Sequence, residues 1–487
     1  MPNQYLVNQF NPFRPQFTLL SEKQRQEIHS TSLQVLSQIG IKIPSGEVRS
    51  LLENAGCDVA EGNIVRIPEF LVERALKSVP SQIMLYTKDG KACLKLEGNN
   101  VYFGTGSDCH YFIDSATGER RKWTKKDIAV GSRICDALDH IDFVMSMGIA
   151  SDVMTRTADV HHFEAMITNT VKPIVFTAYD VMTCEKIVEI ASLVAGGKGI
   201  LQQKPNVALF VETIPPLQIT QDALNKATYM AKERLPIVYA SGPLLGGTGP
   251  VTIAGCVAMA NAEVLGGLVL TQLIREGTPF IYAVGIHPLD MRTTVPAYGA
   301  TETSMAIAAQ AEMAHHYGLP VWGYAGCSDA KVIDQQATTE ATMSVIFSLL
   351  TGANLVHDVG YLESGVTTSY EMIALTNYII EMSKRFMQGI PVNEEDLAFK
   401  IIYKVGPGGH FMIDDHTLKH FKETWYSDLC DRQKYDAWNK SGKLTLGDRI
   451  KQQVKDIIDN HKPDPLPSDV LSSIHEVVKK MDAQISG

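Results

Sequence analysis

Eight short apolar runs constrain this chain more than any other feature. They read VYFGTG, IDFVMSMG, PIVFTAY, NVALFVET, PIVYASG, PFIYAVG, PVWGYAG and ANLVHDVG, and they begin roughly thirty to forty residues apart between residues 101 and 360. Each ends in a polar or glycine-rich break and is followed by a helical stretch. Continuous apolar runs mark parallel strands buried on both faces. The spacing is that of a βα unit, and eight such units in about 290 residues are what a (β/α)8 barrel requires. A doubly wound open sheet is the competing arrangement. The expected fold is α/β: a (β/α)8 TIM barrel over 99–385, a helical and hairpin extension over 1–98, and a loop and helical extension over 386–487.

The flanks support that division. Ser21 with Gln24 has capping-box spacing, and the helix it starts should stop at Gly40. NIVRIP reads as a short strand, and IMLYTKDGKACLKL as a hairpin turning at Asp89-Gly90. After residue 386 come GPGGHFMIDDHTLKHF, a glycine-rich loop entering a helix, and two polar amphipathic helices around a Pro-rich link.

Bulk properties remove several function classes. A formal charge of -10 is the wrong sign for a nucleic-acid footprint. MPNQYLVNQFNPFRP lacks the basic start and apolar run of a signal peptide, and no run approaches eighteen uninterrupted apolar residues. The eight cysteines are scattered without a CxxC pair. Reduced thiols and a cytoplasmic location follow as expectations. There is no HExxH, no P-loop, no GxGxxG and no GxSxG, so no bound metal and no acid, base or nucleophile is assigned.

Barrel active sites lie at the C-terminal ends of strands. Those ends hold Tyr102, Phe103, Asp108, His110 and Tyr111; Tyr179 and Asp180; Glu212; Ser241 and Gly242; Tyr282, His287, Asp290 and Arg292; Tyr324, Cys327, Asp329 and Lys331; His357, Asp358, Tyr361 and Glu363. Aromatic rings recur. Each alone is an ordinary strand residue. Facing one cavity, Tyr102, Phe103, Tyr179, Tyr282 and Tyr324 would form a cage for a cation, because ring faces are electronegative.

Several blocks together resemble the trimethylamine methyltransferase superfamily, in its branch without pyrrolysine. They are LLENAGCDVAEGNIVRIPEFLVERALKSVP, GTGSDCHYFID, SGPLLGGTGPVTIAGCVAMANAEVLGGLVLTQL, GCSDAKVIDQQA, GANLVHDVGYLESG and GPGGHF, and they span nearly the whole chain. The resemblance implies a barrel enzyme that moves a methyl group from a methylated amine to the Co(I) of a cognate corrinoid protein. No tightly bound cofactor is implied; the corrinoid (cobalamin) comes with the partner. The chain contains only the twenty standard residues, which favours quaternary amines over trimethylamine. Glycine betaine is the first choice, with proline betaine, carnitine or another betaine as alternatives. A non-catalytic betaine-binding or sensory barrel is a further alternative.

With this reading, the substrate-binding candidates are Tyr102, Phe103, Tyr179, Glu212, Tyr282, Tyr324, His357 and Tyr361, with His357 orienting the substrate carboxylate. The candidates facing the corrinoid are Asp108, Ser241, Gly242, Asp329 and His410. The barrel mouth is expected to be wide, bordered by GPGGHF and the C-terminal helices. No nucleic acid or membrane partner is expected, and a homo-oligomer is left open.

Overall fold

The computed structural model describes residues 15–486; the stretch MPNQYLVNQFNPFRP lies almost wholly outside them. The eight apolar runs form one parallel barrel. Its strands are β1 (Tyr102–Thr105), β2 (143–144), β3 (Ile174–Phe176), β4 (Val207–Glu212), β5 (Ile237–Ser241), β6 (Phe280–Val284), β7 (Val321–Tyr324) and β8 (Leu355–Val359). Seven pair in sequence order, with β8 beside β1. The short second run closes the circle through parallel bridges from Phe143 to Gly104 and from Val144 to Ile174. Thr105 completes that seam: its hydroxyl donates to Met145 O (3.0 Å) and accepts from Met145 N (2.9 Å). The barrel, not the open sheet, is the fold.

A helix follows each strand: α1 (Lys125–Ala137), α2 (Ala158–Ile167), α3 (Val181–Ala195), α4 (Gln221–Glu233), α5 (Ile253–Ile274), α6 (Thr301–His316), α7 (Gln335–Thr351) and α8 (Tyr370–Met387). By length and composition α5 could cross a membrane, but 78% of its most apolar window is buried in the fold. The N-terminal helix Glu22–Gln34, begun by the Ser21–Gln24 capping box, packs across it, and Ser32 donates to Ala258 O at 2.7 Å.

Side chains alternate between two cores, as strand geometry requires. Phe103, Tyr239, Phe280 and Tyr282 face the helix layer. Tyr102, Val238, Ala240, Ile281, Ala283, Trp322 and Leu355 face the barrel axis. The hairpin of Ile83–Tyr86 and Ala92–Leu96 plugs the N-terminal end of the barrel. Its Ile83, Leu85, Leu94 and Leu96 join the axial core, and Tyr86 N donates to Pro205 O (2.9 Å) just ahead of β4. With the floor sealed, the barrel interior opens towards the C-terminal strand ends.

Leu446–Asn460 packs on α8 and α1, and Ser468–Ser486 on α3 and α2, both outside the barrel. Lys384, late in α8, pairs at 3.5 Å with Asp142, which also accepts from Phe103 N at 2.9 Å. The chain therefore leaves α8 at the N-terminal end of the barrel. GPGGHF follows that exit, and Trp425 returns to Tyr378 and Glu381 on α8. None of the residues of the glycine-rich loop lines the cavity at the strand ends. Leu446–Asn460 ends at the N-terminal side, where His461 meets Asp136 at the end of α1, and the final helix ends where Asp482 meets Thr157 and His161 near the start of α2.

Candidate functional site

Where the strands end, their inward positions enclose a cavity of about 290 Å³. Glu212 (β4), Trp322 and Tyr324 (β7) and His357 (β8) line it at alternating positions, with Phe210 one turn of the pleat deeper. Asp358, also on β8, joins them, and the segments beyond the barrel strands add Asp108, Gly242, His287, Tyr298 and Tyr361. Trp322 lies 4.6 Å from the His357 ring and 5.8 Å from Phe210, and Tyr298 stacks on His287 at 3.9 Å. An aromatic wall exists, but only Tyr324 of the five proposed cage rings belongs to it.

The others lie elsewhere. Tyr102 faces the axis at the floor, and its hydroxyl accepts from Lys95 N of the hairpin (3.1 Å). Phe103 points outward beneath Lys384. Tyr282 also points outward and donates to Asn261 Oδ1 on α5 (2.9 Å). Tyr179 is half exposed in the β3 loop. Of the corrinoid-facing candidates, Asp108 and Gly242 line the cavity. Ser241 turns to the helix layer and donates to Glu263 (2.6 Å). Asp329 is a loop clamp: it accepts from Tyr298 N (2.8 Å), Gly299 N (3.0 Å) and Ser364 Oγ (2.8 Å). His410 is exposed in the segment beyond α8 and does not line the cavity. Phe210, His287, Tyr298 and Trp322 were not among the site candidates. The strand rings sit one or two residues before the strand ends that were read, and Tyr298 belongs to a loop without a motif.

Three carboxyl groups dominate the electrostatics. Burial pushes Asp358 up to about 8. Burial, then the nearby Asp108, Asp358 and Glu263, raises Glu212 to about 7. Burial also raises Asp108, with Asp159 adding repulsion. Asp108 and Glu212 have high solvent-accessible surface, yet protein mass encloses their carboxylates almost completely. Both follow from facing an internal cavity, and the enclosure governs their ionisation. His357 falls to about 4 and His287 to about 3, both through burial, so both imidazoles are neutral at pH 7.

His357 and Asp358 meet side by side at the end of β8. His357 Nδ1 lies 2.8 Å from Gly323 O, which can only accept, so Nδ1 carries the hydrogen. Its Nε2 is then a bare acceptor 3.2 Å from Asp358 Oδ1. That contact is a hydrogen bond only when the carboxyl is protonated or the ring is an imidazolium. The Asp358 and His357 shifts both favour carboxylic acid donating to neutral imidazole. Asp358 holds this position with φ +71 and Asp108 sits at φ +68, left-handed conformations that cost a residue with a Cβ about 1–2 kcal/mol. Tyr361 donates to Ser107 O, fixing the β1 loop over the β8 loop.

Among the described residues lining the cavity none is Lys or Arg. Basic groups on its loops are turned away or paired. Arg292 is 92% exposed, and Arg120 pairs with Glu363 at 2.8 Å. Lys331 donates to Asp329 O. Two buried donor-capable atoms of the lining residues, Trp322 Nε1 and His287 Nδ1, lack a protein partner. The cavity thus offers carboxyl groups and ring faces to a cation, and neutral donors to an acceptor.

Glycines permit the approach of the acids. A Cβ at Gly242 would overlap Glu212 Oε1, although its backbone conformation is one any residue adopts. Gly242→Ala should therefore fold with near-wild-type stability while displacing the Glu212 carboxylate. We expect it to weaken binding of tetramethylammonium about 10-fold, the scale of one misplaced charge-assisted contact. Calorimetric titration beside a thermal melt checks both halves, and unchanged affinity would remove Glu212 from the site.

The model of the family "Trimethylamine methyltransferase (MTTB)" matches residues 2–486. The chain belongs to this family. It is 32% identical to trimethylamine methyltransferase MttB of Desulfitobacterium hafniense (strain DSM 10664 / DCB-2) over 463 residues, 95% of this chain and 93% of that one. It is 31% identical to the glycine betaine methyltransferase of Desulfitobacterium hafniense (strain Y51) over 478 residues, 97% and 98% of the two chains. The monomethylamine methyltransferase MtmB of Methanosarcina barkeri shares the fold at 13% identity and TM-score 0.52, over 91% of this chain and 89% of that one. The chain is accordingly a methyltransferase of methylated amines, and the cavity is the candidate active site of that family member.

Proposed function

We propose that this MTTB-family chain transfers a methyl group from a quaternary ammonium to the Co(I) of a corrinoid carried by a partner protein, in the cytoplasm. The carrying observation is the cavity itself: Asp108, Glu212 and Asp358 with the rings of Phe210, Trp322, Tyr324 and Tyr298, and no lining Lys or Arg among the described residues. Rings and carboxylates attract a cation and exclude little else of this size.

The chemistry asks little more. The C–N electron pair stays on nitrogen as a neutral tertiary amine, and Co(I) supplies the pair for the Co–C bond. No proton is needed, so no general acid is assigned. Substrate charge and cobalt electron density cancel in the transition state, which favours a dry, preorganised cavity. Glu212 and Asp108 hold the ammonium. Rings rather than water surround its methyl groups. His357, whose Nδ1–H is committed to Gly323, fixes Asp358 and donates nothing to a substrate itself.

Glycine betaine is the first substrate to test, followed by proline betaine and carnitine. A carboxylate on the substrate would meet neutral donors, above all the unpartnered Trp322 Nε1–H. Each compound is mixed with enzyme and reduced corrinoid protein, and the cobalt spectrum is followed. Methylation by at least one quaternary amine is expected. Ligand binding with no methylation under any condition would leave a binding barrel instead. Trp322→Phe separates acceptor from cation: we expect glycine betaine to bind about 10-fold more weakly and tetramethylammonium to bind unchanged, the loss of one hydrogen bond to a charged group. Equal effects on the two ligands would make Trp322 a packing residue only.

A further inference from the structure

Of the two imidazoles that line the cavity, one is fully engaged and the other is not. His357 commits Nδ1 to Gly323 O and faces Asp358 with Nε2. His287 is only 7% exposed, yet no hydrogen bond or ion pair engages its ring among the described residues, and its Nδ1 is wholly buried. A polar atom buried without a partner is destabilising, and an apolar ring in the same place would avoid that loss. The His287 ring is nevertheless held firmly. His287 and Pro288 pair in parallel with Leu244 and Leu245, continuing the β5–β6 pairing beyond the barrel. Tyr298 stacks on the imidazole with centroids 3.9 Å apart and planes 13° from parallel, and the Tyr324 ring lies 4.7 Å away. Tyr298 is itself anchored through its backbone N–H to Asp329.

We infer that His287 is the specificity residue of a carboxylate subsite, its ring N–H receiving the anionic end of a zwitterionic substrate whose quaternary nitrogen sits among the acids. The inference rests on the quaternary-amine reading and narrows it from ammonium ions at large to small betaines. A zwitterion poses a particular problem here. The cavity of about 290 Å³ is at the small end for ligand sites, so both ends of the substrate share one enclosure. A Lys or Arg placed for the carboxylate would repel the ammonium at close range in a low-dielectric interior. A neutral donor holds the carboxylate without opposing the cation, and a hydrogen bond to an ionised acceptor is stronger than one between neutral groups. His287 is such a donor, because burial, and then the neighbouring His357, lower its pKa to about 3. The indole N–H of Trp322, also unpartnered, adds a second neutral donor to the lining. The carboxylate contact expected of His357 therefore passes to His287, since His357 has no N–H to spare.

Calorimetric titration of the full chain with glycine betaine, propyltrimethylammonium and tetramethylammonium tests this. Propyltrimethylammonium has a similar length to glycine betaine but no acceptor. His287→Phe keeps a ring for Tyr298 to stack on and removes the N–H. It should weaken glycine betaine about 10-fold and leave both simple cations unchanged, the loss of one hydrogen bond to a charged group. His287→Gln, which returns an N–H, should restore part of the lost affinity. No change for glycine betaine in His287→Phe, or equal losses for all three ligands, would overturn the inference and leave His287 a packing residue. A wild type that binds the two simple cations and not glycine betaine would overturn the subsite alone. A wild type that binds none of the three would overturn the quaternary-amine reading and the subsite with it. Should His287→Phe unfold, a crystal structure of the wild type with glycine betaine decides. A carboxylate within hydrogen-bond distance of the His287 ring supports the subsite; one that meets only Trp322 or water refutes it.

Discussion

Asp358→Asn should give a protein that is more stable at pH 8 and binds cations worse. The substitution keeps the shape and the bond: an amide N–H can donate to His357 Nε2 as the carboxylic acid does, and Asn tolerates the left-handed backbone at φ +71. What it removes is ionisation. The folded-state pKa of about 8 lies above the ordinary aspartate value, so the unfolded chain ionises first. Between the ordinary value and about 8, rising pH therefore favours the unfolded state, and the wild-type stability contribution is lost progressively across that window. Asn has no such slope. We expect a gain on the order of a few kcal/mol at pH 8, shrinking towards zero near pH 4. Binding moves the other way. A cation entering the wild-type cavity can draw out the Asp358 charge, and an amide cannot answer it. A loss of about 2–3 kcal/mol, roughly 30- to 150-fold in affinity, is expected for tetramethylammonium. Denaturant melts at pH 5 and pH 8 with parallel titrations check both directions. A variant less stable than wild type at pH 8 would mean that the hydrogen bond from Tyr361 holds the carboxyl as an ion against its burial.

Cation affinity should itself rise with pH, by roughly 10- to 100-fold between pH 6 and 9. Glu212 at about 7 and Asp358 at about 8 are largely protonated at the acidic end. A bound ammonium favours their charged forms, so binding releases protons, and affinity climbs until both groups are already ionised. Neither neutral histidine contributes, since His357 and His287 lie at about 4 and 3. Glu212→Gln should remove the limb near pH 7 and leave the one near pH 8. Titration of tetramethylammonium in buffers of different ionisation enthalpy counts the protons released. A flat profile with no proton release would show that the three acids are ionised before the cation arrives.

The sequence by itself determined the barrel, the strand runs and the family. Eight apolar runs at βα spacing leave few ways to bury parallel strands on both faces, and the blocks that carry the family resemblance follow the same linear order. It also determined that GANLVHDVGYLESG ends at the site, because a strand end that releases His357, Asp358 and Tyr361 can do so only at the mouth. What the tertiary structure decided was which side of each strand a ring occupies. In an alternating strand the pattern reveals the inward face; in a strand apolar on both faces it does not. Phe103 and Tyr282 read like Tyr324, yet they pack against helices, while Phe210 and Trp322 turn to the axis. Tyr102 faces the axis and is lost to the site because the hairpin fills that end. The meeting of Asp108, Glu212 and Asp358, drawn from three loops and strands far apart in the chain, depends on barrel closure through the brief second strand. Their raised pKa values exist only once that closure has packed protein around the carboxyl groups and brought them near one another, a property of the enclosed volume and of no residue taken alone.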